Sequence, residues 1–372
     1  MTKTIRAYEL QPREGFDALT LVERPAPTLG PTDVRVRVRA VSLNFRDLSM
    51  VKGARKRKAP VVPASDGAGE VIEVGAAVKR HAVGDRVAAA FFPSWLAGDP
   101  SDEHHAGALG GGADGMLAEE VVLPETAWLR LPARLSFEAA ATLPCAGVTA
   151  YHALFEAAHL RAGDVVLVQG TGGVSIFGLQ LAKAAGARVI VTSSSAAKRE
   201  RALALGADHV IDYKADPAWG ESARAWTGGR GVDIVIEVGG PGTFDQSVAA
   251  LRYRGTMSLL GVLTGLRGEV NTYGVFHKLL RIAGIYVGSV AMFEGLLRAL
   301  EANRIEPIID RTFSFGETKE AYAHLASGAH FGKVVPGRVG PARAAHGAAM
   351  RVAALALVCA SRISAIEALT CA

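Results

Sequence analysis

The chain has 372 residues, 49% apolar and 21% charged, the make-up of a folded globular protein with room for one large or two medium cores. Its formal net charge is +5, but Arg338, Arg343, Arg351 and Arg362, against Glu367, put much of that surplus in residues 337–372. The body therefore lacks the basic footprint of a nucleic-acid binder. Three cysteines, Cys145, Cys359 and Cys371, make no disulfide framework. The opening MTKTIRAYELQPREGF has no apolar core of a leader. Both features point to a reducing, cytoplasmic setting. Gly347–Ala360 is apolar but short and broken by Arg351, so no membrane span is expected.

In chain order, Ile5–Leu10, Leu19–Val22 and Val34–Ala40 alternate as strands, the last with its charges on one face. Gly67–Gly75 and Gly84–Ala90 read as further turn-and-strand units, and 94–115 as a polar loop with glycines at 110–112. In that loop His104 and His105 beside Asp102 and Glu103 read as solvent-exposed rather than metal-binding. Residues 1–135 form a β-rich domain on this reading. Lys52–Lys58 (KGARKRK) is either a solvated loop or an entrance that attracts an anionic cofactor.

From Leu135 the texture changes. Ser136 is placed to cap a helix over 136–143. Strands are then predicted at Val165–Val168, Arg188–Thr192, His209–Ile211, Ile234–Val238, Thr256–Leu260 and Ile282–Val287. Helices near 174–185, 196–205, 217–227, 243–251 and 274–280 separate them. Apolar strands alternating with helices mean an α/β fold with a doubly wound, largely parallel sheet over 136–288. A helix at Phe293–Ala302, a strand at Ile308–Phe313, a helix at Thr318–Ala326 and a strand at Lys333–Val335 follow. Past Pro336 the tail is rich in alanine and arginine without clean periodicity. It reads as disordered, with an aberrant extension or a docking helix as alternatives.

The first strand of this sheet, VVLVQ, runs into Gly170, Gly172 and Gly173 and then an apolar helix. Strand, glycine turn and helix aim free backbone N–H groups at a pyrophosphate. The third small residue of such a pattern is Ser175. After the second strand, where an acid would grip a ribose 2′-hydroxyl, stand Ser193, Ser194, Ser195, Lys198 and Arg199. Hydroxyls and cations suit a 2′-phosphate, which predicts NADP, with NADPH preferred over NADH. The alternative is a serine-capped helix indifferent to the cofactor.

Seven stretches carry a wider likeness: VSLNFRDL at 41–48, GAGEVIEVG with GDRV, LPCAGVTAYHAL at 143–154, GTGGVS, LALGADHVIDY at 203–213, GRGVDIVIEVGG at 229–240 and SGAHFGKVV at 327–335. In these the chain resembles the medium-chain dehydrogenase/reductase superfamily, in particular its zinc-lacking quinone-oxidoreductase-like and alcohol-dehydrogenase-like members. The resemblance implies a chaperonin-like β-barrel domain at the N-terminus and a Rossmann domain. A return segment at 289–336 completes the first domain, with the cofactor in the cleft between the two. It also implies a homodimer or homotetramer in which Ile282–Val287 pairs across subunits.

The same likeness places Asn44, Arg46 and Asp47 on the cleft floor. Asn44 would donate to a carbonyl oxygen or the cofactor amide, and Arg46 would steady an enolate or alkoxide. Asp47 would either serve there, or pair with Arg46 or cap the next helix. Cofactor contacts are implied for Thr149, Gly172, Gly173, Val174, Ser194, Lys198, Tyr213, Gly239, Gly261, Val262, Leu263, Phe331, Gly332 and Lys333. Zinc-dependent relatives use an early Cys, a His–Glu pair and a later Cys. The matching positions here are Asn44, Ser65–Asp66 and Cys145, a poor set for tetrahedral zinc. Residues 80–130 contain no cysteine for a structural zinc lobe. No metal is expected. The activity implied is hydride transfer to a quinone, enone or similar activated double bond, with carbonyl or alcohol turnover, or cofactor binding without turnover, as alternatives.

Overall fold

A computed structural model of the chain describes residues 3–337; the expectation for the tail falls, from residue 338 on, outside the described residues. Strand β1 (Thr4–Leu10) pairs antiparallel with β2 (Leu19–Pro25). β3 (Asp33–Ser42), β4 (Asp66–Val74), β5 (Arg86–Ala89), β6 (Glu120–Pro124) and β7 (Trp128–Arg130) make a five-stranded antiparallel sheet in the order β6-β3-β4-β5-β7. Val34, Val36 and Val38 of β3 are buried, as alternation requires. Arg35 is buried as well, bonded to Glu73 at 2.7 Å. The result is the expected chaperonin-like β-rich domain, here as an antiparallel half-barrel.

The second body is a six-stranded parallel sheet of β8 (Val165–Gln169), β9 (Arg188–Thr192), β10 (His209–Ile211), β11 (Val232–Glu237), β12 (Leu251–Leu259) and β13 (Arg281–Gly284). Its order, β10-β9-β8-β11-β12-β13, is the doubly wound one, with the direction of winding reversing between β8 and β11. All five residues of β8 are buried, because helices cover both faces of this strand. The crevice for a ligand lies at the carboxyl ends of β8 and β11.

After the helix Val290–Asn303, β14 (Ile309–Phe313) and β15 (Lys333–Pro336) pair in parallel. Val334 bridges to Leu43 and Gly332 to Gly172. The return segment thus touches both the half-barrel and the glycine turn. Among the described residues no helix is long and apolar enough to cross a membrane.

Three local expectations need correction. Leu143–Ala157 is helical throughout, with wide turns at Leu143–Gly147 and His152–Ala157. Pro144 is tolerated because it falls in a first turn, where no N–H is needed. The last strand of the sheet ends at Gly284 rather than Val287, whose φ of +56° turns the chain away. The polar loop holds a short helix, Asp102–Ala106, capped by Ser101.

Candidate active site

The glycine turn follows from β8. Gly170 takes φ +71°, and Gly172 and Gly173 open the twelve-residue helix Gly173–Ala184. The Gly170 N–H donates to Thr192 O at 2.8 Å, and nothing stands within 4 Å of a Cβ placed on Gly170 or Gly172, so the turn leaves open space at the start of the helix. Ser175 turns inward and donates to Gln169 O at 2.6 Å, tying the helix to the strand.

Two residues that sequence reasoning missed lock the crevice. Gln169 donates to Glu237 Oε2 at 2.5 Å and accepts from the Val238 and Gly239 N–H groups at 3.1 Å. Buried Glu237 accepts from the Gly239 and Gly240 N–H groups at 2.7 and 2.9 Å and from Thr243 Oγ1 at 2.6 Å. The available signal was a polar residue ending each of two apolar strands. Gly239 and Gly261 serve close packing: a Cβ would meet Thr243 Oγ1 at 2.1 Å and Val238 O at 2.0 Å respectively. Val262 and Leu263 are exposed beyond them.

At the second strand, Ser195 caps the helix Ala196–Ala204 and accepts from the Lys198 N–H at 3.4 Å. The Ser194 side chain has no hydrogen-bond partner among the described residues. Lys198 Nζ donates to Gly328 O at 2.6 Å, and burial lowers its pKa. Arg199 donates to Ser193 O at 2.7 Å and pairs with Asp212 at 2.8 Å. Asp212, an acid the sequence reading passed over, thus occupies one of the two cations. Tyr213 beside it is exposed.

The return segment closes the site. Gly332 donates to Thr171 O at 2.9 Å with φ +82°, and a Cβ there would meet Ile308 O at 2.4 Å. Phe331 is buried beneath the Arg201 guanidinium, 4.1 Å from the ring centre. Lys333, 3% exposed, sends its ammonium to Leu43 O at 2.7 Å and Asn44 Oδ1 at 2.5 Å, with Asp66 Oδ2 at 4.0 Å. Asp66 accepts from Ser65 Oγ at 2.7 Å and from the Cys145 N–H at 3.1 Å. Cys145 O in turn accepts from Thr149 Oγ1 at 2.7 Å. Lys333, Asn44, Asp66, Cys145 and Thr149 are therefore one connected group running along the floor.

Burial raises the pKa of Asp66, with Lys333 opposing, and pushes the Cys145 thiol up. The Asn44 amide nitrogen is near enough to Asp66 to favour its ionised form, but makes no aligned hydrogen bond. Asp47 accepts from the Asn44 N–H at 2.7 Å and so caps the helix Phe45–Gly53. Its other oxygen is buried without a partner, and burial lifts its pKa to about 6 against the pull of Arg46. Arg46 lies on the Phe91 ring, 4.6 Å from its centre, and donates to Leu109 O at 2.8 Å.

The positions matching zinc ligands do converge, but around an ammonium. Asn44 Oδ1 already receives Lys333, and Ser65 donates to Asp66, leaving Cys145 as the one cysteine among these positions. Among the described residues no group of three or more His, Cys, Asp or Glu could hold a metal ion. His104 accepts from the Ser101 N–H at 3.0 Å, and His105 stacks on Phe92. In the basic run, Arg55 pairs with Glu14 and Arg57 donates to Gly111 O at 3.0 Å. Lys52, Lys56 and Lys58 are exposed.

Residues 30–133 match the family described as alcohol dehydrogenase GroES-like domain, and residues 173–302 the one described as zinc-binding dehydrogenase. A zinc-type alcohol dehydrogenase-like protein of Schizosaccharomyces pombe is 45% identical over 86% of this chain and 95% of its own. An acryloyl-coenzyme A reductase of Metallosphaera sedula is 31% identical over 87% of this chain and 96% of its own. The solved structure of a quinone oxidoreductase from Coxiella burnetii is 28% identical, with a TM-score of 0.74 over 90% of this chain and 99% of that one. Half-barrel, doubly wound sheet and glycine turn define an NAD(P)-dependent oxidoreductase. The chain belongs to the medium-chain dehydrogenase/reductase superfamily.

Proposed function

We propose that this protein is an NADPH-preferring, zinc-independent reductase acting on the conjugated double bond of an enone or quinone. The observation that carries the reading is Lys333 on Asn44, 4.0 Å from Asp66: the set of positions that would hold zinc is built around a lysine ammonium. An Asn carbonyl, a Ser hydroxyl and a single cysteine are not a tetrahedral zinc set. Without a Lewis acid, an acceptor activated by its own conjugation is favoured over a saturated alcohol. Two relatives are named for acceptors of that kind, a quinone and an acryloyl thioester.

The turn Gly172, Gly173 and Val174 would hold the pyrophosphate. Ser194, free of other bonds, and Lys198, released from Gly328, would take the 2′-phosphate. Tyr213 would lie at the adenosine end. Thr149, Gly239, Gly261, Val262, Leu263 and Phe331–Lys333 would enclose the rest. Bound there, the cofactor supplies a hydride from its nicotinamide. Arg46 and the unpaired Asn44 amide N–H would donate to the acceptor oxygen as charge builds on it; with the hydride on the β-carbon of an enone, solvent would supply a proton to the α-carbon, and with a quinone it would supply the proton to oxygen. We assign 1–135 with 289–336 to the catalytic domain and 136–288 to the cofactor domain, supported by the Leu43–Val334 bridge. The bare edge of β13, with Ile282 exposed, supports pairing with a second copy in a cytoplasmic homodimer or homotetramer.

A second reading, carbonyl reduction, draws on Asp47, whose orphaned oxygen and pKa of about 6 suit a proton donor. Turnover of NADPH with enones, quinones and saturated ketones, with and without a chelator, separates the two. Enone or quinone reduction unaffected by chelator is expected. Turnover of saturated ketones alone, or zinc at one equivalent by elemental analysis, overturns the reading.

A further inference from the structure

Five rings from three stretches of chain meet beside Arg46. Phe91, Phe92 and Trp95 follow β5 and are buried. His105 comes from the helix Asp102–Ala106 and Tyr286 from the turn after β13. The His105 ring stacks on Phe92 at 5.2 Å and 26°, and Tyr286 meets it edge-on at 5.2 Å and 86°. Tyr286 also packs on Phe92 at 5.4 Å and Phe91 at 6.0 Å. Yet Tyr286 is 49% exposed, its hydroxyl has no partner among the described residues, and His105 is exposed beside it.

Their position ties them to the reacting end. Arg46 and Tyr286 share the Phe91 ring, at 4.6 and 6.0 Å. Two residues beyond Tyr286, a Cβ on Gly288 would stand 2.8 Å from the side chain of Val148, the neighbour of Thr149. Between them Val287 O bonds the His152 ring at 2.7 Å. The chain around Tyr286 therefore joins the ring that Arg46 lies on to the helix that carries Thr149. Main-chain bonds set this placement: Val290 and Ala291 N–H groups donate to Trp95 O and Leu96 O, both at 2.9 Å. The wall is held in place before any ligand arrives.

We infer, building on the conjugate-reduction reading, that Tyr286 with His105 is the specificity surface of this cleft and that the acceptor is aryl-conjugated. An aryl enone, aryl enal or naphthoquinone would lay its ring against Tyr286 and turn its carbonyl to Arg46. Ring edges pack offset or edge-on against another ring, a preference a flexible alkyl chain does not share. The chain also loses rotamer freedom that a planar acceptor has already given up.

The test pairs benzylideneacetone with an alkyl enone of equal carbon number. The wild type should show kcat/KM about tenfold higher for the aryl enone. Tyr286→Ala should erase the difference through KM, and Tyr286→Phe should keep it. NADPH affinity by fluorescence should stay within about twofold, showing an intact fold and cofactor site. A second arm needs no turnover: binding of benzylacetone and of an alkyl methyl ketone of equal carbon number to the NADP+ complex, by calorimetry. The aryl ketone should bind about tenfold tighter, and only in proteins that keep the ring at 286. If neither enone is reduced, conjugate reduction fails while the calorimetric ranking still decides the aromatic surface. Equal binding of the two ketones, a preference that survives Tyr286→Ala, or its loss in Tyr286→Phe would each overturn the inference.

Discussion

The stem of Lys333 crosses Gly173 so closely that a Cβ on the glycine would stand 2.5 Å from the lysine Cδ. One contact therefore joins the glycine turn to the cleft floor. The far end of the lysine is fixed by Leu43 O and Asn44 Oδ1, so the stem has little room to yield. Gly173→Ala should weaken NADPH binding by at least about tenfold, roughly 1.4 kcal/mol, by displacing Lys333. Gly172→Ala, with open space at its Cβ, should leave a smaller deficit. Fluorescence titration of both variants checks the order, and equal losses would show that Lys333 is not involved.

Lys333 is also the cation that faces buried Asp66. Lys333→Met should leave that carboxylate uncompensated and cost about 3–5 kcal/mol of stability. Because burial already raises the Asp66 pKa and the lysine opposes it, removing the lysine moves that pKa higher still. The double variant Lys333→Met with Asp66→Asn should recover most of the loss. Denaturant unfolding of the two singles and the double gives the coupling; strictly additive losses would rule it out.

Asp47 makes a pH prediction. Its pKa rises from 3.8 to about 6 in the fold, through burial first, with Arg46 and Lys333 opposing and Asp66 adding. Between those values the unfolded chain has lost its proton while the native carboxyl keeps one, so stability falls as pH rises through that window. His330 works in the opposite direction. Burial lowers its pKa from 6.5 to about 4, so its contribution is lost as pH falls between them. Comparison with Asp47→Asn isolates the aspartate. From pH 4 to pH 6.5 the variant should gain up to about 3 kcal/mol relative to wild type. Parallel denaturant curves at each pH measure it, and a constant gap would mean that Asp47 is ionised throughout.

The doubly wound sheet was legible because each strand-and-helix unit declares itself locally: VVLVQ before a glycine turn, RVIVT before serines. What joins distant segments was not. Gln169 meets Glu237 across 68 positions, and Arg199 takes Asp212 from the end of a different strand. Nothing local marks such partners. The aromatic group fails for the same reason, since His105 sits in a polar stretch and Tyr286 follows a strand cut short at Gly284. Cleft-floor residues came from the resemblance, and their hydrogen bonds only from the fold.

Cofactor choice depends on what the two cations beside Ser194 are doing. Arg199 is bound to Asp212 and to Ser193 O, and moving it would leave Asp212 with backbone N–H groups alone. Lys198 donates to the Gly328 carbonyl, feels Asp310 only at a distance and is partly desolvated, so a phosphate dianion is the better partner for it. NADPH should therefore bind at least about tenfold tighter than NADH, about 1.4 kcal/mol. Lys198→Ala should remove most of that gap. Arg199→Ala should lower stability while changing the ratio by less than about threefold, because its charge is already matched. Titrations of both cofactors at one ionic strength give the ratios directly. Equal or tighter NADH binding by the wild type would sink the assignment, and a larger effect at Arg199 than at Lys198 would move the phosphate to the other cation.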